Sequence, residues 1–441
     1  MKSFITSLLP EKVLLSYHYA VALISAVYYG FPSRQMVVIG VTGTKGKTST
    51  ANFIWSILHA SGAKAGLIST ANIRFHEREM LNPFHMTMPG RFTMQRFLYE
   101  MKKTGCTYCI IETTSEGIKQ FRHKGIAYDI AVFTNLSPEH LGSHGGDFEK
   151  YKKTKGKLFS SLARGYRKTI DGKKIEKVSI VNSGDPHGEY FLSFPADKKI
   201  TYGYGERADV RARDMRETIS WVSFTANEVP YSLHILGAFN VLNALPAIAV
   251  ASLFDIAAEK IQSGFESLTS IPGRMEILNE GQGFTVIIDY AHEAVSMKAA
   301  LETARKITAR SGRVIVLLGA EGGGRDKSKR PAMGEIAGEN TDFVIISNVD
   351  PYDDDPREIL EDIARGAEAA GKTRETNLFL IEDRGAGIKK AIALAKPGDV
   401  VLITGKGAEQ SMIIKGMRIP WDDRKIARDV LKELSRQQQK I

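Results

Sequence analysis

The chain has 441 residues, too many for one typical core and enough for two or three domains. An apolar fraction of 43% and a charged fraction of 25% are those of a soluble globular protein, with no low-complexity tract or short-period repeat to suggest a fibre or an array. The formal charge of +10 suits an anionic partner, but basic residues fall in short interrupted clusters such as Lys152, Lys153, Lys155 and Lys157, without a zinc-finger or RNA-recognition signature; nucleic acid is set aside in favour of nucleotides, phosphorylated small molecules or an anionic membrane surface.

In chain order, the first 36 residues stand apart. Val13 to Tyr29 is largely apolar, broken by Ser16, His18 and Ser25. It has no small-residue cleavage site and is short and polar-spotted for a membrane span. A helix packed on the next domain is expected, with peripheral membrane contact through residues 13–29 as the alternative.

From Met36 the pattern changes to strand, loop and helix units: an apolar strand from Met36 to Val41, a glycine-rich turn, and a helix from Ser49 to Ser61. Further strands are expected at Cys106 to Ile111, Ile130 to Thr134 and Val178 to Asn182, which argues for a parallel sheet covered by helices. Cys106 and Cys109 are the only cysteines; they sit in the apolar run and read as core, which implies a reducing, cytoplasmic compartment. After Ile271-Pro272-Gly273, apolar runs at Thr285 to Ile288, Val314 to Leu318, Phe343 to Ser347, Leu378 to Ile381 and Val400 to Thr404 make a second doubly wound, Rossmann-like series. The fold class is therefore α/β, divided into a helical segment (1–36), a central domain with a mostly parallel sheet (37–272) and a C-terminal domain (273–441).

The strongest local signal is Gly40-Val41-Thr42-Gly43-Thr44-Lys45-Gly46-Lys47-Thr48-Ser49, between an apolar strand and a helix. Backbone N–H groups from Gly43 through Ser49 can cradle phosphate oxygens, Lys47 can reach the terminal phosphates of ATP, and the Thr48 hydroxyl can ligate magnesium. A strict P-loop would place glycine at Val41, so the segment departs from the general nucleotide-hydrolase pattern.

In that departure, Thr42 to Thr48 resembles the phosphate loop of the Mur ligases, which usually carries Asn where Lys45 stands. Further matches follow in family order. They are Glu112 to Ser115, Thr134 to His140, Lys155 to Phe159, Gly237 to Asn240 with Asn243, Pro272 to Glu276, Asp289 to His292, Gly324 to Asp326 with Arg330-Pro331, and Gly405 to Glu409. Together they span about residues 37 to 441 and resemble most closely the ligases that add the third amino acid to the peptidoglycan stem peptide.

The resemblance implies a central ATPase domain and a C-terminal amino-acid-binding domain. It implies ATP and two magnesium ions, with Thr48, Glu112 and His140 at the metal and Lys155 carbamylated beside them. Asn240 and Asn243 would read adenine, and Arg274 and Asp289 would close on the nucleotide. Thr87, Ser115, Arg325, Asp326, Asp350, Tyr352, Gly405 and Glu409 would meet the substrates. The reaction implied is phosphorylation of a peptide carboxylate by ATP, then attack of an amino group on the acyl phosphate, by a monomer acting on small molecules.

Three differences from the family pattern bear on specificity. The domain that holds the uridine nucleotide in full-length relatives has no counterpart in the first 36 residues, so that role is expected to pass to the central domain, a partner or a lipid carrier. Val349-Asp350-Pro351-Tyr352 stands where diaminopimelate-specific relatives carry Asp-Asn-Pro-Arg, which favours an amine such as lysine drawn by Asp350, Asp353 and Asp354. Glu116 and Ala408 each stand where the family usually has histidine. A folylpolyglutamate synthase-like or poly-amino-acid ligase is the alternative on the same fold, and a non-enzymatic nucleotide-binding scaffold is the alternative of another class.

Overall fold

The computed structural model describes residues 11–438 apart from residues 140 and 219. Among these, an eleven-stranded sheet runs in the order Val229–Leu233, Val222–Ala226, Val210–Glu217, Lys198–Gly203, Val178–Asn182, Ile130–Phe133, Val37–Thr42, Tyr108–Glu112, Ala65–Ile68, Asn72–Phe75 and Arg78–Leu81. The strands from Val210–Glu217 to Ala65–Ile68 are parallel. Those outside them pair antiparallel. Both faces are covered, as a parallel sheet requires. Side chains of Val37–Thr42 alternate between two cores: Val37, Ile39 and Val41 pack with Phe53 and Ile57, and Val38 packs with Phe97, Leu158 and Phe159.

Register decides where the chemistry sits. Val41 pairs with Glu112, and Thr42 with Phe133, so Thr42 and Glu112 end at one edge of the sheet. The helix from Lys47 to Ala60 starts two residues before the expected Ser49, because Gly46 at φ 80° turns the chain and its carbonyl already accepts from Thr50 N at 2.9 Å. The expected strand from Cys106 begins only at Tyr108. Cys106 N still donates to Met101 O, closing the preceding helix Arg91–Lys103. Both cysteines are buried and unpaired, and burial pushes their thiol pKa values up.

A second sheet has the order Glu276–Leu278, Thr285–Asp289, Val400–Thr404, Val314–Leu318, Phe343–Ile346 and Leu378–Leu380, with only the first strand antiparallel. Asp289 and Thr404 end neighbouring strands, and the loops that leave this edge carry Gly405, Lys406, Glu409 and Asp350.

The helix Glu11–Tyr28 packs Ala22, Ser25 and Ala26 inward and lies against Arg91–Lys103. Val13, Tyr17, Ile24, Val27 and Tyr28 face outward. No described helix is long and apolar enough to cross a membrane.

At the opposite, amino end of the parallel strands one carboxylate holds two buried ammonium groups. Asp129 Oδ1 accepts from Lys177 Nζ at 2.8 Å, while Oδ2 accepts from Lys168 Nζ and, at 2.8 Å, from Val38 N. All three side chains have 0% exposure. Backbone carbonyls complete the cage: Met36 O for Lys168 at 2.7 Å, and Tyr128 O and Tyr166 O for Lys177 at 2.7 and 2.9 Å.

Candidate active site

The phosphate loop is built by glycines where a side chain would not fit. A Cβ on Gly43 (φ 150°) would meet Thr134 Oγ1 at 1.9 Å, and one on Gly46 would meet Asn243 Oδ1 at 2.1 Å. The segment from Thr134 to Ser137 buttresses the loop from the side. Lys45 N donates to Asn135 Oδ1 at 2.8 Å, Thr134 Oγ1 donates to Lys45 O at 2.7 Å, and Thr44 N donates to Asn135 O at 2.8 Å. Thr44 Oγ1 is shared between Tyr151 OH and Ser137 N.

Four of the expected residues converge here. Thr48 Oγ1 donates to Glu112 Oε2 at 2.9 Å, and Thr70 N donates to the same oxygen at 2.8 Å. A buried carboxylate beside a hydroxyl on the first turn of the helix is a donor set that fits a hard divalent cation. Lys47 Nζ rests on Thr44 O at 2.8 Å. Burial lowers its pKa, opposed by Glu112 and reinforced by the charges of Lys45 and Arg274. Lys155 Nζ, also buried, donates to Gly43 O at 2.7 Å and lies 4.5 Å from the Tyr151 ring centre. Burial, then the charge of Lys47, drives its pKa well below that of a free lysine, toward the neutral amine. His140 lies outside the described residues; its neighbour Glu139 pairs with Lys45 Nζ at 2.7 Å.

Other expected residues divide. Asn240 and Asn243 are buried and tied to each other, Asn243 Nδ2 donating to Asn240 Oδ1 at 2.9 Å, with Asn243 against Gly46. Ser49 and Ser115 are buried at the starts of their helices, and Thr87 shares a 2.7 Å hydrogen bond with Thr70. Asp326 caps Ser328 N on an exposed loop, and Arg325 beside it is also exposed, pairing with Glu321 at 3.2 Å.

The second sheet meets the first across this edge. Arg274 Nη2 donates to Thr48 Oγ1 at 3.2 Å, and its guanidinium lies 4.3 Å from the Tyr290 ring centre. Asp289 accepts from Met275 N and Ala291 N, each at 2.8 Å, which fixes Arg274 at the boundary; burial raises the Asp289 pKa. Gly405 N donates to Asp289 O at 3.2 Å.

The second cluster differs from expectation. Asp350 is fully buried, and the cation it holds is Lys406 of the chain itself, at 2.9 Å; its other oxygen accepts from Ile413 N at 2.7 Å. Asp353 is exposed, and Asp354 lies 3.9 Å from Arg330, so neither joins it. Lys406 Nζ also reaches Glu409 Oε2 at 2.6 Å. Burial works to lower the Lys406 pKa, but the charges of Glu409 and Asp350 outweigh it and the pKa is raised, so the ammonium is held. Opposite lies His85, with Nε2 3.4 Å from Asp350 Oδ2 and Nδ1 3.7 Å from Glu409 Oε2. The Tyr352 hydroxyl lies 3.5 Å from His85 Nε2. His85, Asp350 and Glu409 are close enough to hold a metal ion, but the Lys406 ammonium already occupies the space between the carboxylates.

Sequence reasoning missed Thr70, Tyr151, Lys406 as a charge partner and, above all, His85. A single histidine in a loop between a strand and a helix carries no periodic or spacing signal. Its place becomes evident only when the two sheets meet.

Comparison with known proteins gives the same architecture. The model of the Mur ligase middle domain matches residues 41–251, and that of the Mur ligase glutamate ligase domain matches residues 273–407. The chain is 39% identical over 424 residues to a UDP-N-acetylmuramyl-tripeptide synthetase of Roseiflexus sp. (strain RS-1), covering 94% of this chain and 82% of that protein. It is 37% identical over 418 residues to the UDP-N-acetylmuramoyl-L-alanyl-D-glutamate--2,6-diaminopimelate ligase of Geobacillus kaustophilus (strain HTA426), with coverage of 94% and 82%. Mycobacterium tuberculosis folylpolyglutamate synthase complexed with ADP and AMPPCP shares the fold, at 17% identity, a TM-score of 0.69 and 98% coverage of each chain.

Proposed function

The chain belongs to the Mur ligase family, and from that premise we propose that it is an ATP-dependent ligase joining an amino acid to the carboxylate of a UDP-N-acetylmuramoyl peptide in peptidoglycan precursor synthesis. The observation that carries this reading is the convergence of Lys47, Thr48, Glu112 and Lys155 at one sheet edge, facing Arg274 and the Asp350, Lys406 and Glu409 cluster of the second sheet. An ATP site and a site for a charged amine thus adjoin.

In the first half-reaction an acceptor carboxylate oxygen attacks the γ-phosphorus of ATP. The bond to the bridging oxygen breaks, and ADP leaves with its electron pair. The loop N–H groups orient the phosphates, and Lys47 offsets their negative charge. Thr48 and Glu112 would hold magnesium, which supplies charge neutralisation to the transferring phosphoryl group when bound. In the second half-reaction the amine attacks the acyl phosphate and inorganic phosphate leaves. A heavy-oxygen label placed in the acceptor carboxylate should therefore appear in the phosphate; label found only in the product would contradict an acyl phosphate.

Carbamylation of Lys155 belongs to this proposal. Carbon dioxide reacts with a neutral amine, and the depressed pKa of Lys155 supports that state. Lys155→Ala is expected to lower turnover by about two orders of magnitude, as for loss of one positioned charge. A carbon-13 carbamate signal from labelled bicarbonate should be present in the native protein and absent from the variant.

We further propose that the chain is a monomer in the cytoplasm that touches the membrane through the outward face of Glu11–Tyr28. Exposed Tyr17, Ile24, Val27 and Tyr28 beside exposed Phe92 support it, and a net charge of +10 suits anionic lipid. Ile24→Glu should abolish co-sedimentation with phosphatidylglycerol vesicles without altering the monomer mass by light scattering. Vesicle binding that survives the substitution would assign this face no role.

A further inference from the structure

Amide formation needs the incoming amine without its proton, so some group at the amine site must accept it. Resting on the ligase reading above, we infer that His85 is that acceptor. His85 comes from the loop between the strand Arg78–Leu81 and the helix Arg91–Lys103, and reaches the cluster on the second sheet.

The carboxylates that meet there are already engaged. Asp350 has both oxygens engaged, by Lys406 Nζ at 2.9 Å and by Ile413 N at 2.7 Å. Glu409 accepts from Tyr290 OH at 3.2 Å and from Lys406 Nζ at 2.6 Å. Protonating either carboxylate would forfeit a charge-assisted contact inside the protein. Lys406 is held as an ammonium and has no lone pair to offer. Tyr352 carries a hydroxyl whose pKa is raised, first by burial and then by Glu321 and Asp350. Arg325, which hydrogen-bonds Tyr352 at the rim of the cluster, is a guanidinium and does not accept protons.

His85 remains. Its Nδ1 is buried without a hydrogen-bond partner, and at 3.4 and 3.7 Å its ring faces the two carboxylates without being locked to them. An ammonium drawn to these carboxylates would therefore lie against the imidazole, whose neutral form carries a lone pair on one ring nitrogen. One N–H bond breaks and its proton passes to the imidazole; the freed pair attacks the acyl carbonyl, the carbon–oxygen bond to phosphate breaks, and the second proton leaves nitrogen with the departing phosphate. The imidazolium then returns the proton to solvent.

The same loop is tied to the phosphoryl centre. Thr87, two residues on, shares a hydrogen bond with Thr70, whose N–H holds the Glu112 oxygen that accepts from Thr48. On the other side, Arg418, in a separate two-stranded hairpin of Ser411–Ile414 and Met417–Pro420, donates to Pro83 O. The base is thus positioned by contacts from both halves of the site.

The test separates the two half-reactions. The full chain is supplied with ATP, magnesium and UDP-N-acetylmuramoyl-dipeptide, with lysine or diaminopimelate as the amine, or with hydroxylamine, which is already a free base at neutral pH and traps the acyl phosphate as a hydroxamate. For His85→Gln the expected result is hydroxamate formation within about twofold of the native rate. Amide kcat should fall about 10²- to 10³-fold, the range of a lost acid–base group, with the amine KM changed less than about threefold. In His85→Gly, added imidazole should restore amide formation. Unchanged kcat, a loss carried wholly by KM, or no rescue by imidazole would each overturn the assignment to His85. Absence of hydroxamate with the native chain would instead overturn the ligase reading itself.

Discussion

Lys47→Ala should lower ADP formation by about 10³-fold while leaving the fold intact, the scale on which removal of one preorganised charge donor acts. The Lys47 ammonium rests on Thr44 O, a contact of the loop with itself, and the helix it opens is held by Phe53, Ile54 and Ile57 in the core. Little structure depends on the ammonium. Burial lowers its pKa, a desolvation cost that the negative charge of bound phosphate would offset. Lys45→Ala is the control. That ammonium is engaged by Glu139 at 2.7 Å and its loss should weaken turnover far less. Equal rates for native chain and Lys47→Ala would remove the phosphate loop from the mechanism.

The second large effect concerns stability. Asp129→Ala leaves two ammonium groups, both fully buried, without the one carboxylate that pairs with them among the described residues, and breaking a buried pair in this way costs about 3–5 kcal/mol. Lys168→Met should cost less, because Lys177 Nζ and Val38 N still hold Asp129 and no charge is left unpaired. Urea melts of the two variants test this; a milder Asp129→Ala would mean that the backbone carbonyls alone hold the cations. Lys168 also links stability to pH. Burial lowers its pKa from 10.5 to about 8 even with Asp129 present. Between those values the unfolded chain binds more protons than the folded one, so stability rises with pH across that window and falls as pH drops toward 8. The depressed Lys47 and Lys155 act in the same direction, so Lys168→Met should flatten the slope without removing it.

The phosphate loop was legible in the sequence because its chemistry is local. Glycines at fixed spacing, one lysine and one threonine between an apolar strand and a helix define it within ten residues. The buried strands of both sheets were legible as apolar runs for the same reason. The antiparallel edge strands were not. Val222–Ala226 and Val229–Leu233 are joined through Asn227 and Glu228, both at positive φ, where the usual glycine signal of such a turn is absent.

The amine cluster was half legible. Asp350 and Glu409 stood out through family resemblance, but burial turned Asp350 inward onto Lys406, which no charge pattern foretells. His85 and Tyr352 meet although they are 267 positions apart, a distance that only the packing of the two sheets closes.

The most direct measurement is ADP release with magnesium, ATP and UDP-N-acetylmuramoyl-dipeptide, each amino acid supplied singly. A Mur ligase with the site described here should release ADP only when both the dipeptide and one amino acid, lysine or diaminopimelate foremost, are present. ADP release that ignores the muramoyl acceptor, or that requires a folate or another carboxylate in its place, would contradict it.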